Sequence, residues 1–353
     1  MRKTLLTYGV LLAAGASIAS AQKITACGAT FPEAVYQKWF SLYHTAHPGV
    51  EINYTANGSG SGVKNVTDGT VDFGASDSPM SDTELAAAKG KILHFPTVLG
   101  GVVLTYNIPG VSQDLKFSGD TISGIYLGKI TKWNDKALVA DNPGVKLPAE
   151  DIIPVHRTDA SGTTYIFTDY LSKVSPEWKS KVGAAKAVSW PASPLGGGQS
   201  SGVTGLLKQT PYSIGYIELL WALQNKLSYG LVKNSSGTFV KASMESVSEA
   251  AAGVTMPDDF RVSISNASGK NAYPISSFTW MLIPAQMADA TKAKAVKDFL
   301  TWMLGEGQKV APSLFFAPLP KAVVTKEEKQ LALLGGAGHA SAAKPAAAKK
   351  GQK

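Results

Sequence analysis

The chain has 353 residues, 44% of them apolar and 17% charged, with one cysteine and a formal net charge of +8. That balance excludes a disordered chain, and the length suits two ordinary domains or one large one with ample core. A single cysteine excludes an internal disulfide and therefore does not identify the redox compartment.

In chain order, the first element is an export signal. Arg2 and Lys3 precede the apolar run 5–19, and residues 19–21 read ASA. A positive n-region, a short h-region and an A-x-A site make residues 1–21 a secretory signal peptide, the run being too short for a membrane anchor. With these two charges and Lys344, Lys349, Lys350 and Lys353 set aside, residues 22–336 carry only +2. That body has no clustering of the kind a nucleic-acid surface needs. Residues 337–353 form an alanine-rich, basic, low-complexity tail, expected to be a solvated appendage.

Strand and helix patterns alternate through the remainder, which predicts an α/β architecture. ITACGA reads as a buried strand and PEAVYQKWFSLYHTAH as an amphipathic helix with Pro32 at its first position. VEINYTA alternates as a strand and enters the loop NGSGSG ahead of a helix; VDFGASD is a short strand with a polar end. FPTVLGGVVLTYNIPG, bounded by Pro96 and Pro109, is too short to span a membrane and reads as a long crossing strand. DIIPVHR feeds a second loop-to-helix junction, TDASGTTYIFTDYL, and ASPLGGGQSSGVTGLLKQ repeats the design with a glycine-rich entry. AYPISSFTWMLIP is a second crossing strand, followed by the helix ATKAKAVKDFLTWML with Gly305 as its cap.

Several chemistries lack their motifs. GSGSGVKN has no P-loop ending and fails both G-x-G-x-x-G and G-x-S-x-G. The five histidines show neither H-E-x-x-H nor cysteine partners, so neither a zinc site nor any other cofactor is expected. What recurs is a physical device. Segments 29–32 (ATFP), 57–62 (NGSGSG) and 159–164 (DASGTT) place glycine and hydroxyl residues just ahead of helices. Free backbone N–H groups at the positive end of a helix dipole, with hydroxyls beside them, are what an oxyanion needs. Each alone is an ordinary N-cap; three after strands point to a site at the carboxyl ends of a sheet. Arg157 precedes the third segment and can grip an anion in bidentate fashion or pair with Asp159. Asp77 ends VDFGASD, and a carboxylate beside an anion site makes sense when the anion carries a proton.

With these residues in place, the sequence resembles the periplasmic phosphate-binding proteins of high-affinity phosphate ABC transporters. The matching segments are GATFPEAVYQKW, GSGSGVK, VDFGASDSPMS, FPTVLGGVVLTYNIPG, SGIYLGKITKWND, RTDASGTTYIFTDYL and SIGYIELLWA, in order across about residues 24–320. The resemblance implies a type II periplasmic-binding-protein fold: two α/β lobes, two crossing hinge strands near 104–108 and 274–280, and a ligand in the interlobe cleft. It implies lobes formed by 22–104 with 278–336 and by 105–277. It also implies a monomer that takes inorganic phosphate to membrane permease subunits in the periplasm. Carried over by position, the phosphate ligands are Thr30, the N–H of Phe31, Ser59, Asp77, Arg157, Ser161, the N–H of Gly162, and Thr163. Asp159 follows as ligand or as partner of Arg157.

Two other functions compete. One is an exported hydrolase with Ser59 or Ser161 as nucleophile, which lacks a placed histidine base unless His156 supplies it. The other is phosphate binding in surface attachment or signalling through the basic tail. Cys27 raises a separate question. ITAC resembles a lipobox, but Gln22 and Lys23 separate Cys27 from the apolar run, and cleavage there would remove half of a core strand. The expectation is a small buried residue, with a thiol activated by the nearby helix N-terminus as the alternative.

Overall fold

The computed structural model describes residues 21–334; the signal segment other than Ala21, and the tail 337–353, lie outside the described residues. Twelve strands occur among them: β1 (Gln22–Gly28), β2 (Val50–Ala56), β3 (Phe73–Ser76), β4 (Ile92–Asn107), β5 (Lys116–Phe117), β6 (Ile153–Arg157), β7 (Leu195–Gly197), β8 (Ser213–Glu218), β9 (Ser228–Tyr229), β10 (Leu231–Lys233), β11 (Phe239–Val240) and β12 (Ser276–Pro284). The principal sheet runs β2-β1-β3-β12-β4-β8-β6-β7, with β9 beside β4; β11-β10-β5 form a small second sheet.

Parallel β2, β1 and β3 make one lobe and parallel β8, β6 and β7 the other. The antiparallel pair β4 and β12 lies between them. From Ile92 to Gly101, β4 pairs with β12; from Val102 to Asn107 it pairs with β8. One strand thus passes through both lobes, as the FPTVLGGVVLTYN run predicts. Every β4 residue except Asn107 is buried, as expected of a strand covered on both faces.

Four helices set the site: α1 (Glu33–Ala46), α2 (Ser59–Asp68), α3 (Gly162–Val174) and α4 (Gln199–Gln209), following β1, β2, β6 and β7. Val35, Tyr36, Trp39, Phe40 and Tyr43 form the buried stripe of α1, at helical spacing. The first turn of α2 lies directly on the sheet. A Cβ at Gly62 would stand 2.2 Å from the carbonyl oxygen of Ala75, so glycine there permits the approach that brings Ser59 beside β3.

Three details differ from the sequence reading. Pro32 is the N-cap of α1 and Glu33 its first residue. Pro96 lies inside β4, where the pairing with β12 shifts register between Thr279 and Trp280; an irregularity of this kind tolerates a residue with no N–H to donate. Gly305 does not end its helix. The helix Ala290–Trp302 continues as a π-helical turn, Met303–Gly307, and Trp39 Nε1 donates to the carbonyl of Gly307 at 2.7 Å. No helix among the described residues is long and apolar enough to cross a membrane.

Cys27 is 5% exposed in β1, flanked by Thr55 of β2 and Gly74 of β3. Burial pushes its thiol pKa up, outweighing hydrogen bonding with Ser61 and Asn57. This is a small core residue rather than an activated thiol.

Candidate functional site

The ends of β1, β3 and β6 and the N-termini of α2, α3 and α4 converge between the lobes. In an α-helix the first N–H groups have no intrahelical acceptor. Among the described residues, the N–H groups of Phe31, Ser59, Gly162, Thr163 and Ser200 have no hydrogen-bond acceptor. Their hydroxyl neighbours are buried: Thr30 is 3% exposed, Ser59, Thr163 and Ser200 1%, and Ser161 0%. Ser161 Oγ caps α3 by accepting from Thr164 N at 3.2 Å, which leaves its proton to donate. Thr163 Oγ1 is buried with no partner. The Phe31 ring turns away into the core, against Gly100 and Phe316, and so anchors the backbone that carries its N–H.

Arg157 ends β6 with its side chain 2% exposed. Its Nε donates to Asp159 Oδ1 at 2.8 Å and its Nη2 to Asp159 Oδ2 at 2.6 Å. Asp159 Oδ1 also accepts from Gln199 N at 2.9 Å. Both carboxylate oxygens thus hold the Arg157 guanidinium in place. Burial alone would raise the Asp159 pKa; its bonds to Arg157 prevail and hold it below the usual range. The outer nitrogen, Nη1, faces Thr30 Oγ1 and Ser200 Oγ, both at 3.4 Å, and these two hydroxyls lie 2.8 Å apart. Tyr216 steadies the assembly: its hydroxyl accepts from Arg157 N at 3.1 Å and meets Thr164 Oγ1 at 2.7 Å.

Asp77 is 1% exposed and receives only neutral donors. Thr279 Oγ1 donates to Oδ1 at 2.8 Å and Ser59 Oγ to Oδ2 at 3.3 Å. Burial pushes its pKa up to about 7, against the lowering effects of Thr279, Arg157 and Ser59. Arg157 is neutralised by Asp159, so the cleft carries no surplus positive charge. What remains for a guest is a set of oriented N–H and O–H dipoles and one carboxyl poised to share a proton.

All nine residues expected at the site are placed in or directly beside this convergence. The sequence reading missed Ser200, Thr279 and Tyr216. For Ser200 a signal existed, since GGGQSSGV was already recognised as another glycine-rich helix entry. His156 does not serve Ser59 or Ser161: its Nδ1 lies 2.9 Å from Ser193 Oγ and its ring packs on Trp190.

The lobes are in contact across the cleft. Gly60 N donates to Ala160 O at 2.8 Å, and a Cβ on Gly162 would stand 2.4 Å from Ser59 Oγ and 2.5 Å from Asp77 Cβ. Gly162→Ala is therefore expected to hold the lobes apart. Overpacking of this kind costs about 1–3 kcal/mol, or roughly five- to 150-fold in anion affinity. Titration calorimetry with inorganic phosphate checks the affinity, and an affinity equal to that of the wild type would rule out this contact as a closing one.

A two-lobed sheet with a cleft between crossing strands defines the class. Residues 14–306 match a family model described as a PBP superfamily domain. The chain is 42% identical over 309 residues to the phosphate-binding protein PstS of Xylella fastidiosa, covering 87% of this chain and 84% of that one. It is 39% identical over 333 residues to the PstS of Pasteurella multocida, covering 94% and 96%. Among solved structures, a high-affinity periplasmic phosphate-binding protein with phosphate bound superposes with a TM-score of 0.73 at 24% identity, over 87% and 93%. A phosphate-binding protein from Stenotrophomonas maltophilia gives 0.67 at 21%, over 86% and 92%. This chain belongs to the PstS family of phosphate-binding proteins.

Proposed function

We propose that this chain captures inorganic phosphate in the periplasm and delivers it to the permease subunits of an ABC transporter. The observation that carries this reading is the pairing of Asp77 with free helix N-termini. A buried carboxyl with only neutral donors faces N–H groups that have no acceptor. Such a site suits a small oxyanion that retains a proton.

In the bound state Thr30, Ser59, Ser161 and Thr163 donate hydroxyl protons to the phosphate oxygens, and Phe31 and Gly162 donate backbone N–H. Arg157 contributes its outer edge, held by Asp159. Asp77 accepts the phosphate proton. Sulfate at neutral pH has no proton to offer, so its oxygen would face a buried carboxylate. An unmatched buried group costs on the order of 1–3 kcal/mol, more when charged, and a site built around one hydrogen bond rejects the isostere by about 10⁴ or more. The lobe division proposed is 22–104 with 278–336 on one side and 105–277 on the other; the exchange of partners along β4 supports it, with closure twisting β4 and β12.

Titration calorimetry of the protein lacking residues 1–21, with phosphate, sulfate and molybdate at pH 8, tests the reading. Tight phosphate binding with no sulfate heat is expected. Absence of phosphate binding, or equal binding of sulfate, overturns it.

A further inference from the structure

Away from the anion contacts, three ion pairs among the described residues join the lobes so divided, Lys186–Glu84, Arg261–Asp82 and Lys326–Asp258, and the first is the one tied to the anion site. Lys186 Nζ lies 2.7 Å from Glu84 Oε1. Glu84 sits on the helix Asp82–Ala87 between β3 and β4, and Lys186 lies in the segment between β6 and β7, so the pair spans the cleft. The carboxylate is fixed in advance: Glu84 Oε2 accepts from Ser81 N at 2.8 Å, while Ser81 Oγ accepts from Glu84 N at 3.2 Å, a complete capping box. Lys186 is tied to the site by its backbone. Its carbonyl accepts the N–H of Ser161 at 2.8 Å, one residue before the free N–H of Gly162. One residue thus holds the α3 entry with its main chain and the opposite lobe with its side chain.

The pair differs from lysine pairs confined to one helix and from Lys326–Asp258, whose carboxylate is fully exposed. Lys64–Asp68 and Lys294–Asp298 are i,i+4 pairs on single helices, with lysines 75% exposed, and do nothing for lobe position. The Lys186 and Glu84 side chains are 17% and 28% exposed. They line a cavity of about 530 Å³ with Ser78, Met80, Tyr165 and Arg261, next to Asp77 in the chain. Burial would raise the Glu84 pKa, but its bond to Lys186 wins and lowers it. The same N-terminal turn is also gripped by Arg261, whose Nη1 donates to Met80 O at 3.0 Å and to Asp82 Oδ1 at 2.7 Å.

We propose that Glu84 and Lys186 are positioning residues that hold the closed cleft, so that anion affinity includes the closure contributed by a contact the anion never touches. The proposal rests on the phosphate reading for its affinity readout, and has a second readout that does not. The pair forms only on closure, so its loss speeds anion release and leaves capture unchanged.

The test is a double-mutant cycle with Glu84→Gln, Lys186→Gln and the double variant, using inorganic phosphate in stopped-flow and calorimetric titrations. Glutamine at 84 keeps the capping box. Each single variant is expected to weaken binding about three- to tenfold, entirely in koff, with the double variant no weaker than either single. The wild-type affinity should also fall more steeply with salt than that of Glu84→Gln. Multiplying losses, or losses confined to kon, overturn the proposal. Independently of any ligand, small-angle scattering of Lys186→Glu, which sets two carboxylates face to face, should show a larger radius of gyration than the wild type. An unchanged profile overturns the proposal. Failure of the wild type to bind phosphate would instead strike the functional reading, and the scattering comparison would then decide the role of the pair.

Discussion

Arg157→Ala is expected to lower phosphate affinity by a factor of about 10²–10⁴, corresponding to the 3–5 kcal/mol typical of breaking a buried charge pair. Two losses combine. The anion loses the guanidinium that faces Thr30 and Ser200, and Asp159 keeps its place beside α4 with the Gln199 N–H for compensation. An uncompensated carboxylate then faces the incoming anion, which adds repulsion to the missing attraction. Arg157→Lys keeps the charge but cannot hold Asp159 through two parallel bonds while reaching Thr30 and Ser200, so it should recover only part of the loss. Calorimetry measures all three proteins. An unaltered dissociation constant in Arg157→Ala would remove Arg157 from the ligand set.

Asp77→Asn is expected to relax selectivity rather than abolish binding. The amide oxygen still accepts the phosphate proton, and the amide N–H₂ now has something to offer sulfate. The pH dependence gives the sharper measurement. Sulfate brings no proton, so the wild type can admit it only when Asp77 is itself protonated. With that pKa near 7, sulfate affinity should fall about tenfold per pH unit above that point. Phosphate, which carries its own proton, should show no such slope, and in Asp77→Asn the sulfate slope should vanish. Competition titrations at pH 6, 7 and 8.5 check this, and a pH-independent sulfate affinity in the wild type would refute the role given to Asp77.

The same carboxyl bears on stability. Its pKa is higher in the folded chain than in the unfolded one, so from about pH 4 to 7 the folded state binds more protons. Stability without anion therefore declines across that window and levels off above it. Asp77→Asn should accordingly raise the melting temperature at pH 8 and leave it nearly unchanged at pH 4. A site that is uncomfortable when empty is the expected companion of one that discriminates when filled.

How much of this was readable from the chain alone follows from the range of each interaction. The α2 and α3 entries announce themselves locally, because glycine and hydroxyl residues after a strand and before a helix leave a compact signature. Arg157 and Asp159 are two residues apart and could be paired on sequence distance. Thr279 could not: its bond to Asp77 joins residues 202 apart and exists because β12 runs antiparallel beside β3, setting Trp280 opposite Ser76. Ser200 meets Thr30 across 170 residues, again through the packing of lobes rather than any local pattern. Pro96 and Gly305 misled for the converse reason. Both are strong local punctuation, and in each case the tertiary setting, a register shift in one and the Trp39 anchor in the other, overrode it.

Strand β4 has a mechanical consequence. It exchanges one antiparallel partner for another between Gly101 and Val102 without leaving the sheet, so the two lobes are joined by an unbroken ladder rather than by a loop. Such a connection behaves as a torsion bar. Opening twists it through small changes in many dihedral angles, and no backbone hydrogen bond need be broken and remade. The amides of Val102–Asn107 should therefore resist hydrogen exchange equally with and without anion, while those at the tips of α2 and α3 should not. With so little elastic resistance in the joint, the balance between open and shut falls to the contacts inside the cleft and along its rim.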